Sequence, residues 1–278
     1  MDLSLKIRTQ LETIGNLNDD NIDLVKTALL LASADRPGIS IEPYLRHIDQ
    51  LASEVSEYSK NSRTSDIDIR IEALVQVIVR RYGYGGSELV FDDLNAANLM
   101  HVIDCRSGLP IAIGILFIAA ARAQGWNITG LNFPGRFLIR LDAAGKRKII
   151  DPFADGAVIE APEMRAMFKA VVGNHVELTP DHYRDMGNRD ILARLQGNIK
   201  SRLIQREKWD EAIKVIQSML LFQPEQIYLW KEIGLLFSQI DRIVDAINAF
   251  EKFLSNSPTE EERYKVSTLL QELRSRLN

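Results

Sequence analysis

The chain has 278 residues, 46% hydrophobic and 26% charged, a balance that excludes a largely disordered chain and leaves room for two compact cores. Its net charge of −4 gives no global attraction to nucleic acid or an anionic membrane, and neither is expected as a partner. The single cysteine, Cys105, rules out an intrachain disulfide, and Met1-Asp2-Leu3-Ser4 lacks the basic and apolar segments of a leader, so a cytoplasmic setting is expected.

From residue 20 to about 82 the apolar positions recur at helical spacing. Ile22, Val25, Leu29 and Leu30 form one stripe, Ile41, Leu45, Ile48, Leu51 and Val55 a second, and Ile71, Leu74, Val75, Ile78 and Val79 a third. Ser65-Asp66-Ile67-Asp68 supplies a cap and an acidic first turn for the last of these, and Gly83, Gly85 and Gly86 stop it near Tyr82. The glycine loop reads as a helix-ending turn, because no lysine and Ser/Thr pair follows to make it a phosphate cradle. Asp92 to Asn95 can cap a helix running through Asn98, Leu99 and Val102.

Ser107-Gly108-Leu109-Pro110 then breaks the chain, and Pro110 suits the first turn of a new helix. The almost wholly apolar stretch to Ala121 implies burial on all sides, and it falls short of the roughly 20 residues that span a bilayer. Beyond Gly125, residues 128–131, 137–141 and 148–151 are short β-forming segments, the last two joined through Asp142-Ala143-Ala144-Gly145 as an antiparallel hairpin. Helices followed by a small sheet predict an α+β domain over residues 1–185.

Residues 190–278 return to helices and repeat. Trp209-Asp210-Glu211-Ala212-Ile213 and Ile243-Val244-Asp245-Ala246-Ile247 lie 34 residues apart, as do Pro224 and Pro258. That period belongs to tetratricopeptide (TPR) units. The second unit carries Trp230, Gly234, Phe237, Ala246, Phe250 and Pro258 at consensus spacing, whereas the first has Gln196 and Lys200 where tryptophan and glycine belong. About two units and a capping helix from Glu260 to Leu277 are expected.

Three further motifs stand in order: Arg106-Ser107-Gly108-Leu109-Pro110-Ile111, then Pro134-Gly135-Arg136-Phe137-Leu138, then Ile150-Asp151-Pro152-Phe153. Together with the helical N-terminus and the repeat tail, they resemble the bacterial SirB-type transglutaminase-like family over nearly the whole chain. The resemblance implies a mostly helical, papain-like core with a small antiparallel sheet. In the wider superfamily a cysteine at a buried helix N-terminus, a histidine on the next strand and an aspartate on the one after perform thiol acyl transfer. Here the resemblance puts Pro110 at the nucleophile position and Arg136 at that of the base, and leaves Asp151. Proline carries no nucleophile and an arginine stays charged, so that reaction is not expected. Arg136 and Asp151 can instead form an ion pair across neighbouring strands.

Asn95, Asn98 and Arg106 are candidates to line the cleft with Arg136 and Asp151; the alternative is that the asparagines serve as caps and Arg106 pairs with a carboxylate. Cys105 and His101, four residues apart on one helix face, are a weaker candidate for a reactive thiol, and no metal site or cofactor is expected. The leading expectation is a non-catalytic scaffold or regulatory protein that holds a protein or peptide partner in the cleft or on the TPR helices. The alternative is an enzyme using Cys105, or Asp151 with Arg136 as acid and base.

Overall fold

The computed structural model describes residues 4–60, 66–256 and 258–276. The leader reading at Met1 to Leu3, the Ser65 cap and the Leu277 helix end lie outside the described residues. The chain divides into two compact units, Asn18–Leu195, and Met1–Leu17 together with Gln196–Asn278. The first helix, α1 (Leu5–Gly15), thus groups with the repeats, where the sequence division placed it with residues 1–185. Leu11 is fully buried there, and Gly15 approaches the Leu221 carbonyl so closely that an added Cβ would sit 2.3 Å from its oxygen.

In the unit Asn18–Leu195, α2 (Leu24–Ala34) starts at Asp23, whose carboxylate accepts the Lys26 N–H at 2.9 Å. It packs with α3 (Glu42–Lys60), α4 (Ile67–Leu74) and α5 (Leu99–Cys105) around α6 (Pro110–Arg122). The predicted apolar helix is α6, and Ile111, Ile113, Ile115, Leu116, Phe117 and Ile118 are all enclosed. Each such side chain contributes about 1.5–3 kcal/mol on burial, enough to override the modest helix propensity of isoleucine.

The third predicted helix does not stay α-helical to its end. From Val75 to Arg81 it widens into a π-helix, with the Tyr82 N–H reaching the Val77 carbonyl at 3.1 Å. That change of register turns Arg81 and Tyr82 toward Glu54 of α3: Arg81 Nη1 and the Tyr82 hydroxyl donate to its two oxygens at 2.6 and 2.5 Å.

The sheet has five antiparallel strands in the order β4-β3-β2-β1-β5: β1 (Asn127–Leu131), β2 (Leu138–Ala143), β3 (Lys146–Asp151), β4 (Ala157–Ile159) and β5 (Asp185–Met186). The predicted hairpin is β2–β3, with Ile139 opposite Ile150. Its turn is only Ala144-Gly145, both at positive φ, the geometry of a two-residue hairpin loop. One face of β1 and β2 packs on α6. Alternation puts Leu131 and Leu138 on the other, where they join Phe133 against Met164 and Phe168 of α7 (Ala161–Val172).

In the repeat unit α9 (Trp209–Phe222), α10 (Tyr228–Gln239), α11 (Ile243–Ser255) and α12 (Glu260–Ser275) follow the end of α8 (Asn188–Gln205). α1 packs on α9, and each later helix packs on the next. Gly234 of α10 is the close-packing position, for an added Cβ would meet the Phe250 ring at 2.6 Å. The first unit, weak in sequence, shares one turn geometry with the second: Glu207 and Asp241, one period apart, both take positive φ in the turns before α9 and α11.

Candidate functional site

The start of α6 is built by short backbone pairings. The Gly85 N–H donates to the Arg106 carbonyl at 3.2 Å and the Leu109 N–H to that of Ala96 at 2.8 Å. Gly108 has no room for a side chain, since a Cβ there would meet Val102 at 2.5 Å. Pro110 is buried as the first helical residue, and Leu109 before it gives no side-chain cap. One turn on, Gly114 faces Phe137 and Pro152, the residues next to Arg136 and Asp151.

Arg136 lies in the turn entering β2, and that turn is clamped from α8. The Arg194 guanidinium donates to the carbonyls of Phe133 at 2.9 Å and Arg136 at 2.8 Å, and burial lowers its pKa. Asp151 closes β3 and is only 1% exposed. Its Oδ1 accepts the N–H groups of Phe153 (2.9 Å) and Ala154 (3.2 Å), and its Oδ2 lies 2.5 Å from Arg136 Nε.

The expected ion pair is therefore present, but it joins the turn before β2 to the end of β3. Its geometry is that of a charge contact. The Arg136 Nε–H is buried yet not aimed to hydrogen-bond, and no terminal nitrogen of Arg136 makes a hydrogen bond among the described residues. The guanidinium lies 5.3 Å above the Phe153 ring, which in turn touches Phe91 at 5.4 Å between centroids and covers Gly86. Neither Pro110 nor Arg136 offers a nucleophile or a base, and Asp151 is occupied by two backbone donors and an arginine.

The remaining candidates sit apart from this pair. Asn98 is a structural cap: its Oδ1 accepts the His101 N–H at 3.1 Å and its Nδ2 donates to the Ala32 carbonyl at 3.0 Å. Asn95 is exposed in the turn ahead of it. Cys105 is exposed, with Sγ 3.6 Å from His101 Nε2. That same nitrogen lies 3.1 Å from Asp93 Oδ2, and Sγ is 3.9 Å from Nδ1, a longer approach than to the nitrogen the carboxylate already faces. Among the described residues no group of three or more His, Cys, Asp or Glu side chains can hold a metal ion, and no helix is long and apolar enough to cross a membrane.

Arg106 pairs with no carboxylate among the described residues, contrary to the simpler expectation. It caps α5 at φ +58° and ψ +19°, and Nη1 points at His47 Nε2 (2.6 Å) and at the Tyr84 hydroxyl. An arginine only donates, so Nε2 is the acceptor and the His47 proton belongs on Nδ1. The guanidinium lies over the rings of Tyr82 and Tyr84 at 5.6 and 4.8 Å. Burial and the Arg106 charge push His47 down to about 4, and burial drives the enclosed Tyr84 hydroxyl up to about 12. At Glu54, burial raises the pKa, but hydrogen bonds from Gln50, Tyr82 and Arg81 outweigh it and hold the carboxyl at about 2. Sequence reading missed His47 and Glu54 because their partners come from segments far along the chain. The only signal was polar residues on an otherwise apolar helix pattern.

In the repeat unit Lys200 and Arg202 of α8 and Lys231 of α10 make internal contacts. Lys200 pairs with Glu232 and Lys231 with Glu262, ion pairs that join α8 to α10 and α10 to α12. Arg202 donates to the Asn198 carbonyl at 2.9 Å.

The sequence profile of the transglutaminase-like superfamily matches residues 42–197, more than half of the chain, and that of the tetratricopeptide repeat matches 199–271. A UPF0162 protein of Vibrio cholerae is 26% identical over 249 residues, 88% of this chain and 91% of that protein. Protein SirB1 of Salmonella typhimurium is 20% identical over 249 residues, covering 89% and 91% of the two chains. Among solved structures, a crystal structure of menin aligns at a TM-score of 0.39 and 12% identity, over 95% of this chain and 74% of that one. With the five-stranded sheet, the buried α6 and the TPR helices in place, the chain belongs to the transglutaminase-like superfamily, as a SirB-type member with a tetratricopeptide tail.

Proposed function

We propose that the protein is a non-catalytic binding protein, a scaffold or regulator of the cytoplasm, that holds a protein or peptide partner rather than transforming a substrate. The observation that carries this reading is the Arg136–Asp151 contact beside Pro110. A superfamily active site needs a thiol, a free imidazole and an aspartate to orient it. This one has a buried proline and an aspartate held by a permanent cation. What remains is a guanidinium over the Phe153 ring, and a TPR stack of the kind that presents a concave surface to peptides. Neither nucleic acid nor membrane is a partner in this reading, since the net charge of −4 opposes both.

Crosslinking and capture from native lysate tests it, using the full chain, Arg136→Glu and Lys231→Glu. The expected result is a partner retained by the wild type and lost from one variant, which locates the surface used. Turnover of acyl substrates by purified protein, with no partner captured at any salt concentration, would remove the reading.

A further inference from the structure

The Arg136 guanidinium is unusual for a largely covered cation. Its side chain is 35% exposed and its carboxylate neighbour is almost completely buried, yet none of its nitrogens makes a hydrogen bond among the described residues. Arginine presents a planar fork of donors, and a fork held in place by Asp151 on one edge and Phe153 beneath keeps its other donors free for an outside acceptor. Beside it the surface turns apolar. Phe91 stacks on Phe153 and is 46% exposed, and Leu89, in the same short 3₁₀ turn (Glu88–Phe91), is 79% exposed. An exposed phenylalanine on the Phe153 ring, with a leucine two residues away in the same turn, beside a guanidinium whose terminal donors are unused forms a surface with two demands, an acceptor for those donors and an apolar group close to it.

We infer that Arg136 binds the C-terminal carboxylate of a partner peptide whose last side chain is apolar and packs on Phe153, Phe91 and Leu89; this rests on the reading of the cleft as a binding site. Charge selects the carboxylate over a phosphate. Asp151 already offsets the one positive charge. A dianion gains little there, while a planar monoanion still matches two parallel N–H donors. The apolar rim selects a chain terminus over an internal acidic side chain. A terminal residue carries its carboxylate and side chain on the same carbon, whereas Glu or Asp puts its charge at the tip of a stem with no apolar branch.

The test titrates the full-length protein with acetyl-Gly-Ser-Gly-Ala-Leu as the free acid, the same peptide as its C-terminal amide, the amide with phosphoserine in place of serine, and the free acid ending in glycine. Binding is read by calorimetry and by the arginine Nε–Hε signals of ¹⁵N-labelled protein. The free acid should bind and move the Arg136 signal; the two amides should bind at least tenfold more weakly, and the glycine-ended acid severalfold more weakly. Arg136→Gln should bring the acid down to the level of the amide. If that variant unfolds, Leu89→Ser with Phe91→Ser reads out the apolar half on an intact guanidinium and should erase the difference between leucine and glycine. Equal binding of acid and amide, tighter binding of the phosphoserine peptide, or no binding of the acid overturns the carboxylate assignment. If lysate capture by the wild type then still depends on Arg136, the binding reading stands and only this inference falls; if the wild type captures no partner, both fall.

Discussion

Two arginines of the same unit meet the problem of a half-covered charge in different ways. Arg136 has a buried carboxylate against it at 2.5 Å; Arg106 has no carboxylate partner among the described residues and rests on a neutral histidine, a tyrosine hydroxyl and two aromatic rings. The difference is one of what protons can do. The Asp151 contact depends on a carboxylate enclosed by two backbone donors, whereas the Arg106 arrangement requires His47 to stay unprotonated. The first is suited to hold a geometry, and the second makes the region around α3 and the Gly83–Gly86 turn sensitive to acid.

The largest way to break this comparison is Asp151→Ala. It removes the acceptor of two N–H groups and strands the Arg136 charge, and should lower unfolding stability by roughly 2–4 kcal/mol in urea titration. Adding Arg136→Gln should recover part of that loss, because the stranded charge is then gone. Additive effects of the two changes would mean that the pair is not energetically coupled.

Acid comes next. His47 has a folded pKa of about 4 against an ordinary 6.5, so the unfolded chain binds more protons between those values and stability should fall as pH drops from about 6.5 to about 4. Glu54, held at about 2 against 4.5, contributes stability that is present above 4.5 and lost as pH falls toward 2. Arg106→Gln should raise the His47 pKa in an NMR titration and flatten the upper part of this profile. Asp151→Asn should leave the His47 titration where it is, and a shift there would merge the two sites into one.

Tyr84→Phe is a smaller cut. It deletes one hydroxyl between Arg106 and His47 and should cost about 1 kcal/mol by thermal or urea unfolding. Smallest is Cys105→Ala, at an exposed position, expected within about 0.5 kcal/mol of wild type by the same measurement.

Much of this architecture was legible in the sequence because local pattern and tertiary role agree. The run from Leu109 to Ala121 is apolar on every side and becomes the central helix; Ala144-Gly145 becomes the hairpin turn; the spacing of Gly234 and Phe250 becomes a helix contact. Other features carry no local mark. The segment Val75–Arg81 has the apolar spacing of an α-helix, and only its surroundings make it a π-helix. β5 is two residues long and exists because Gly130 and Leu131 pair with it. Of the proposed site, Arg136 and Asp151 were visible through motif resemblance, and their contact follows from strand order. Arg194, which fixes the Arg136 backbone, comes from a helix that by sequence reads as a repeat element, so nothing local marks it as part of the cleft. Asn98 and Arg106 show the converse: both were legible as polar residues near the cleft, and both spend their side chains on nearby structure.

The central claim is that the cleft binds through Arg136 and does not react through Cys105. Crosslinked capture from native lysate, with Arg136→Glu and Cys105→Ala compared side by side in the full chain, tests it most directly. The account predicts a partner that is lost with Arg136→Glu and kept with Cys105→Ala. A partner kept by Arg136→Glu and lost with Cys105→Ala, accompanied by a covalent adduct on that thiol, would contradict it.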